Sequence, residues 1–159
     1  MNSFKIVPLS ESYVEGLKKS QKDHYGNELV EELATGYGPC RLSLQPFKPG
    51  EDIRILFSHR PFEIKNAYVQ PGPVFIHKKN IDAYKDVYRF PPAIKADKKH
   101  FPLTLIGYNR VQKMVFTQLV GDLDVDELIE QVFNEQEQVE FLHARNAEAG
   151  CFICRIERV

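Results

Sequence analysis

The stretch "HARNAEAGCFICRI", residues 143–156, gathers His143, Asn146, Cys151 and Cys154 into a short span, and the chain has only 3 cysteines in all. Thiolate and imidazole are the ligands that zinc accepts, and a thiol beside an imidazole can become a nucleophile. A Cys-x2-Cys pair at zinc sits on a tight knuckle that makes both sulfurs converge, and a redox pair opens a helix. Here "CFICRIERV" reads as a strand, whose successive side chains take opposite faces. Cys151 and Cys154, three apart, therefore point to opposite sides, which argues against a metal knuckle or a thioredoxin-type pair. The plainer reading is a hairpin with "AEAG" at its tip and Gly150 supplying a positive φ. In simple register Asn146 faces Cys151 and His143 faces Cys154. A one-residue bulge instead brings His143 onto the face of Cys151, and the sequence leaves both open. Cys154 reads as a small buried hydrophobe.

The elements that must position these residues follow from periodicity. "FKIVPL" reads as a short strand ended by Pro8. "SESYVEGLKKSQKD" reads as a helix, with Ser12 and Glu15 spaced as a capping box and Val14 and Leu17 on one face. A second short helix is expected over Glu28–Ala34, stopping before Gly36. "CRLSLQ" alternates as a strand, placing Cys40, Leu42 and Leu44 on one face and Arg41, Ser43 and Gln45 on the other. "PFKPGED" is a turn, and "DIRILFSH" puts Ile53, Ile55, Phe57 and His59 on a shared face. "VFIH" is a strand ending in His77. Residues 79–100 read as a long surface loop holding one short helix, of the kind that often carries function. "LTLIGYN" and "MVFTQLV" form a hairpin around residues 110–113. "DVDELIEQVFNEQ" is the clearest helix, with Asp124 and Glu127 as cap and Val125, Leu128, Ile129, Val132 and Phe133 as an apolar stripe. The pattern is an α+β fold: a single domain over residues 1–159, an antiparallel-dominated sheet with two to three helices packed on it.

Composition narrows the function classes. The chain has 159 residues, 43% hydrophobic and 27% charged, ordinary for a soluble globular domain. Its 21 basic and 22 acidic side chains leave a net charge of −1, which disfavours nucleic acid, whose binders carry a basic excess. The start shows no signal-peptide pattern and no run long enough to span a membrane. An odd, small cysteine count implies free thiols and a cytoplasmic location.

Laid along these elements, "GYGPCRLSL", Gly50–Glu51, "H-x-P" at residues 59–61, "Y-x-x-x-GPVFIH" ending at His77, "RFP" at residues 89–91 and "FLHARNAEAGCFICRIER" come in an order that resembles bacterial domain-of-unknown-function family 1203. The resemblance runs from about Gly36 to Arg158. It implies a compact cytoplasmic domain, brings no activity with it, and implies that Cys40, Arg41, His59, Tyr68, His77, His143, Asn146 and Cys151 are the family-like polar positions. Two departures stand out. Family members often carry an arginine and an aspartate where this chain has Ile106 and Asn109, and a small apolar residue where it has Cys154.

Two functional readings follow. In the first, Cys40, His59, His77, His143 and Cys151 converge on a small-molecule or metal-binding pocket built from His, Cys and Arg on the sheet. Cys40, His59, His143 and Cys151 are its catalytic candidates. Arg41, Tyr68, His77 and Asn146 are its ligand-binding candidates, with Arg41 and Asn146 holding an oxyanion or carboxylate. No cofactor is identified and enzyme status stays open. The bland counterpart is a set of half-buried histidines bonded to backbone and an Arg41 paired on the surface. In the second, a non-catalytic interaction module uses the basic, aromatic loop 77–100 to clamp an anionic partner. Against it, charge runs are usually solvated faces. A homodimer through a sheet edge is compatible with either.

Overall fold

The structure, a computed structural model, describes residues 2–159. Its elements are β1 (Phe4–Val7), α1 (Glu11–Ser20), β2 (Val30–Leu33), β3 (Ile53–His59), β4 (Gly72–His77), α2 (Pro92–Lys95), β5 (Leu103–Tyr108), β6 (Met114–Leu119), α3 (Val125–Glu135), β7 (Phe141–Asn146) and β8 (Phe152–Arg158). Every strand pairing within the sheets is antiparallel, and the α+β class expected from the sequence is what forms. There are two sheets, however: five strands in the order β1-β8-β7-β5-β6, and three in the order β2-β3-β4.

The helices divide between the sheets. Helix α3 is capped by Asp124, whose side chain accepts from Glu127 N, and it buries Val125, Leu128, Ile129, Val132 and Phe133. Burying each of those side chains contributes about 1.5–3 kcal/mol, against about 1 kcal/mol for the cap, so packing rather than capping holds the helix. The stripe packs with Ile94 of α2 against Leu103, Leu105, Leu142, Ala144, Cys154 and Ile156, one face of the large sheet. Cys154 is thus core packing, as its strand position predicts. Helix α1 instead places Val14 and Leu17 with Ile55, Phe57, Val74 and Ile76 of the small sheet. Its cap is Ser10 rather than the expected Ser12, with Ser10 Oγ accepting from Tyr13 N at 3.1 Å.

Two expected elements are corrected. The segment expected as a helix over Glu28–Ala34 contains strand β2, paired with β3 so that Val30 lies opposite Leu56 and Leu33 opposite Ile53. Val30 and Leu33 remain about half exposed, so no apolar stripe exists to hold a helix. The sheet pairing and the Glu32–Arg54 ion pair at 2.7 Å take its place. "CRLSLQ" is not a strand either. Leu44 N donates to Cys40 O at 2.9 Å, closing a turn in which Leu44 has φ 54°. Cys40, Arg41, Leu42, Ser43 and Leu44 are all buried, so both supposed faces point inward. Long-range bonds impose this: Arg41 N donates to Phe75 O at 3.0 Å, and Arg41 O accepts from Leu9 N at 3.2 Å.

The β7–β8 hairpin turns at Gly150, which has φ +79°. Arg145 pairs with Phe152, and a register shift between Ala144 and Arg145 then places Ala144 opposite Cys154 and His143 opposite Arg155. The simple register holds near the tip and the one-residue bulge left open by the sequence follows it, so His143 does not lie opposite Cys154. The shift leaves His143 facing away from α3, among Phe62, Tyr108, Phe141 and Phe152, with ring centroids 4.8–5.3 Å away.

The turn that presents Cys40 depends on Gly38. It has φ +87°, and a Cβ there would stand 2.4 Å from the Phe47 ring. Both the backbone strain and the overlap are unfavourable, so Gly38→Ala is expected to cost about 3 kcal/mol, read as a lower urea midpoint at unchanged slope. A loss under 1 kcal/mol would show that the turn relaxes freely.

Candidate functional site

Where β3 ends and the β7–β8 hairpin turns, the two sheets leave a cleft of about 440 Å³. His59 and the segment Gln70–Val74 wall one side; Thr104, Ile106, Arg145, Asn146, Cys151 and Phe152 wall the other. Of the sequence candidates, His59, Asn146 and Cys151 reach this cleft. Arg145, which the sequence reading passed over, lines it too.

Arg145 is the unusual member. It is 7% exposed, and only Nη1 is satisfied, donating to Gly150 O at 2.9 Å. Its Nε and Nη2 are buried without a hydrogen-bond partner. Other guanidinium groups of the chain have partners. Arg54 pairs with Glu32, Arg155 with Glu157, and Arg158 donates to the carbonyls of Phe133, Gln136 and Val139. A buried N–H left unmade costs about 1–3 kcal/mol, and more when the group is charged, so an open guanidinium fork is an expensive feature to keep. Asn146, by contrast, commits its side-chain oxygen to the turn, accepting from Glu148 N at 2.9 Å and Ala149 N at 2.8 Å. That makes Asn146 a hairpin cap in this geometry.

Both imidazoles beside the cleft are held neutral. Burial and then Arg41 push His59 down to about 4, while Tyr13 OH and His59 Nδ1 lie 3.3 Å apart. His143 is fully buried, and burial, then Arg145, Arg155 and His59, hold it well below the usual histidine range. Neither of its ring nitrogens has a partner. The Tyr108 hydroxyl is also buried and outside strict hydrogen-bond geometry, raised by burial and drawn back by the charge and the neighbouring N–H groups of Arg145. The protein thus gathers unpaired polar groups and positive charge on one sheet face, an arrangement typical of functional sites rather than of cores optimised for stability.

The other candidates lie elsewhere. Arg41 is buried, not a surface ion-pair residue: Nε donates to Phe152 O at 2.7 Å and Nη1 to Pro39 O. Cys40 and His77 line no wall of the cleft but touch each other, with His77 N donating to Cys40 Sγ at 3.4 Å. Tyr68 packs on the cluster of Phe62, Tyr108 and Phe141. Among the described residues, no group of three or more His, Cys, Asp or Glu side chains is placed to hold a metal ion.

The basic loop has its own, larger cleft of about 670 Å³ between Phe90, Phe101, Leu119 and Val125. Several of its charges are already matched. Lys95 lies 2.7 Å from both Asp124 and Asp126, Lys85 pairs with Asp82 and Arg89 with Asp86. Tyr84 donates to Arg89 O and packs on the core, and Phe90 is fully buried. Size favours this cleft, but unmet hydrogen-bonding capacity favours the smaller one.

A sequence model of the family described as "Protein of unknown function (DUF1203)" matches residues 37–158, most of the chain and every candidate above. The chain belongs to that family. No curated protein and no solved structure matches it.

The orphaned imidazole of His143 makes a prediction. The fold keeps it neutral, so as pH falls through 6.5 the unfolded chain takes up a proton that the folded chain refuses, and stability drops with acid. His143→Leu removes two unmet nitrogens and should stabilise by about 1 kcal/mol at pH 7. The gain should grow by about 2 kcal/mol at pH 5, since each pH unit below the unfolded pKa is worth about 1.4 kcal/mol. Urea unfolding at both pH values checks this; equal destabilisation at both would contradict it.

Proposed function

We propose that this member of the DUF1203 family binds a small molecule bearing a carboxylate or phosphate group in the cleft between its two sheets, with Arg145 as the anion receptor. The observation that carries the reading is the Arg145 guanidinium, 7% exposed with two buried N–H donors unmet. Planar carboxylate and phosphate oxygens match such a fork, and charge-assisted bonds of this kind are worth about 1.5–3 kcal/mol each. The surroundings support an anion over a cation. The charges acting on the two imidazoles are those of Arg41 on His59 and of Arg145 and Arg155 on His143, and among the described residues no Asp or Glu lines the cleft. His59, neutral at physiological pH, is then free to accept a hydrogen bond from a ligand hydroxyl. Cys151 faces the same space from the hairpin side. The basic loop is the weaker place for an anion because Lys85 and Lys95 already have carboxylate partners.

Isothermal titration of the whole protein with acetate, oxalate, inorganic phosphate and phenyl phosphate tests this. At least one should bind, and the arms distinguish carboxylate from phosphate preference. Arg145→Gln should weaken that binding at least tenfold, the loss of one charge-assisted contact of about 1.5–3 kcal/mol. Arg145→Lys should restore only part of it, because the charge returns without the fork. Binding unchanged in Arg145→Gln, or none by the wild type, would remove the basis for the reading.

A further inference from the structure

We infer that Cys40, His77 and Asp52 form a second site, independent of the Arg145 cleft, in which the Cys40 thiolate reduces a small hydroperoxide and becomes a sulfenic acid. The three residues come from separate places in the chain: the turn after Pro39, the end of β4 and the residue before β3. His77 is 3% exposed, and its Nε2 lies 3.3 Å from Asp52 Oδ2. That carboxylate is itself fixed, accepting from Lys48 N at 2.7 Å and lying 3.5 Å from Lys79 Nζ. His77 Nδ1 is buried and has no hydrogen-bond partner, while the His77 backbone N–H holds Cys40 Sγ at 3.4 Å. With Nε2 beside Asp52, Nδ1 is the ring nitrogen without a partner of its own, in an imidazole close enough to Cys40 to lower its thiol. This is the order of a nucleophile, a base and an orienting carboxylate.

The remaining neighbours favour the thiolate. Despite burial, the His77 imidazole and the Ser43 hydroxyl and N–H bring the Cys40 thiol down to about 7. The guanidinium of Arg41 faces Cys40, Cys151 and Cys154, and the fully buried Cys154 is pushed up to about 12, leaving Cys40 as the buried thiol that can balance the charge. Ser43, His77, Arg41 and, behind the ring, Asp52 and Lys79 are the polar and charged groups facing this pair.

Size selects the substrate. Cys40 is 0% exposed, and Phe47 covers His77 with ring centroids 4.5 Å apart, so the electrophile must be little larger than water. A hydroperoxide meets that limit and takes two electrons from a thiolate. The proton of Cys40 passes to His77 Nδ1. The thiolate then attacks one peroxide oxygen, an S–O bond forms, the O–O bond breaks, and the departing hydroxide takes the proton from Nδ1 and leaves as water. Sulfur is oxidised by two electrons and the peroxide is reduced by two.

The test exposes the whole native protein to hydrogen peroxide, removes excess with catalase, unfolds it in dimedone and locates the adduct by peptide mass spectrometry. Adduct should appear on Cys40 at least tenfold above Cys154, with a rate that rises with pH around a midpoint of about 7. His77→Gln should slow it at least tenfold at pH 7 and move the midpoint upward, and Asp52→Asn should do so more weakly. Adduct on Cys151 alone, or a wild-type midpoint at or above the ordinary thiol range, would overturn the inference even if His77→Gln does not fold. An unchanged rate in a folded His77→Gln would do the same.

Discussion

The structure is organised around one buried cation. Arg41 is 3% exposed and has no carboxylate partner among the described residues, yet it holds Phe152 O on β8 and Pro39 O in its own turn. Its backbone adds bonds to Phe75 on β4 and to Leu9 after β1, so a single residue joins both sheets and the chain's first connection. A guanidinium can be buried this way only because its two carbonyl partners offset part of its desolvation cost. The charge then adds to burial in holding His59 neutral and couples to all 3 cysteines of the chain.

The β7–β8 hairpin supplies the second cation. The register shift beside Arg145 sends Ala144 and Cys154 into the core with α3 and turns His143 and Arg145 toward the small sheet. Arg41 is satisfied by carbonyls and Arg145 is not. That contrast separates a structural guanidinium from a receptor, because both are buried but only one has unmet donors to offer a ligand.

Local signals in the sequence were read correctly where local physics decides. The Asp124 cap and apolar stripe of α3, the alternation of β3, the β5–β6 hairpin and the positive φ of Gly150 all form as their residues predict. Readings failed where distant partners decide. Cys40, Leu42 and Leu44 alternate like a strand, but the segment is bent by bonds to residues as far as Phe152, which no window of sequence contains. Val30 and Leu33 have helical spacing with nothing to pack against, and pairing with β3 captures them. The candidate site was legible in its residue types and not in its grouping. One imagined pocket divides into a His59–Cys151 cleft and a Cys40–His77 pair. Arg145 looked like any strand arginine, and Asp52 like part of a turn, because only burial distinguishes them.

The most direct measurement of the anion-receptor account is the arginine side-chain NMR spectrum of the ¹⁵N-labelled protein during titration with inorganic phosphate. The account predicts that the Arg145 Nε–H resonance moves on binding, while Arg41, already bonded to carbonyls, stays still. An Arg145 resonance unmoved at saturating phosphate would contradict it.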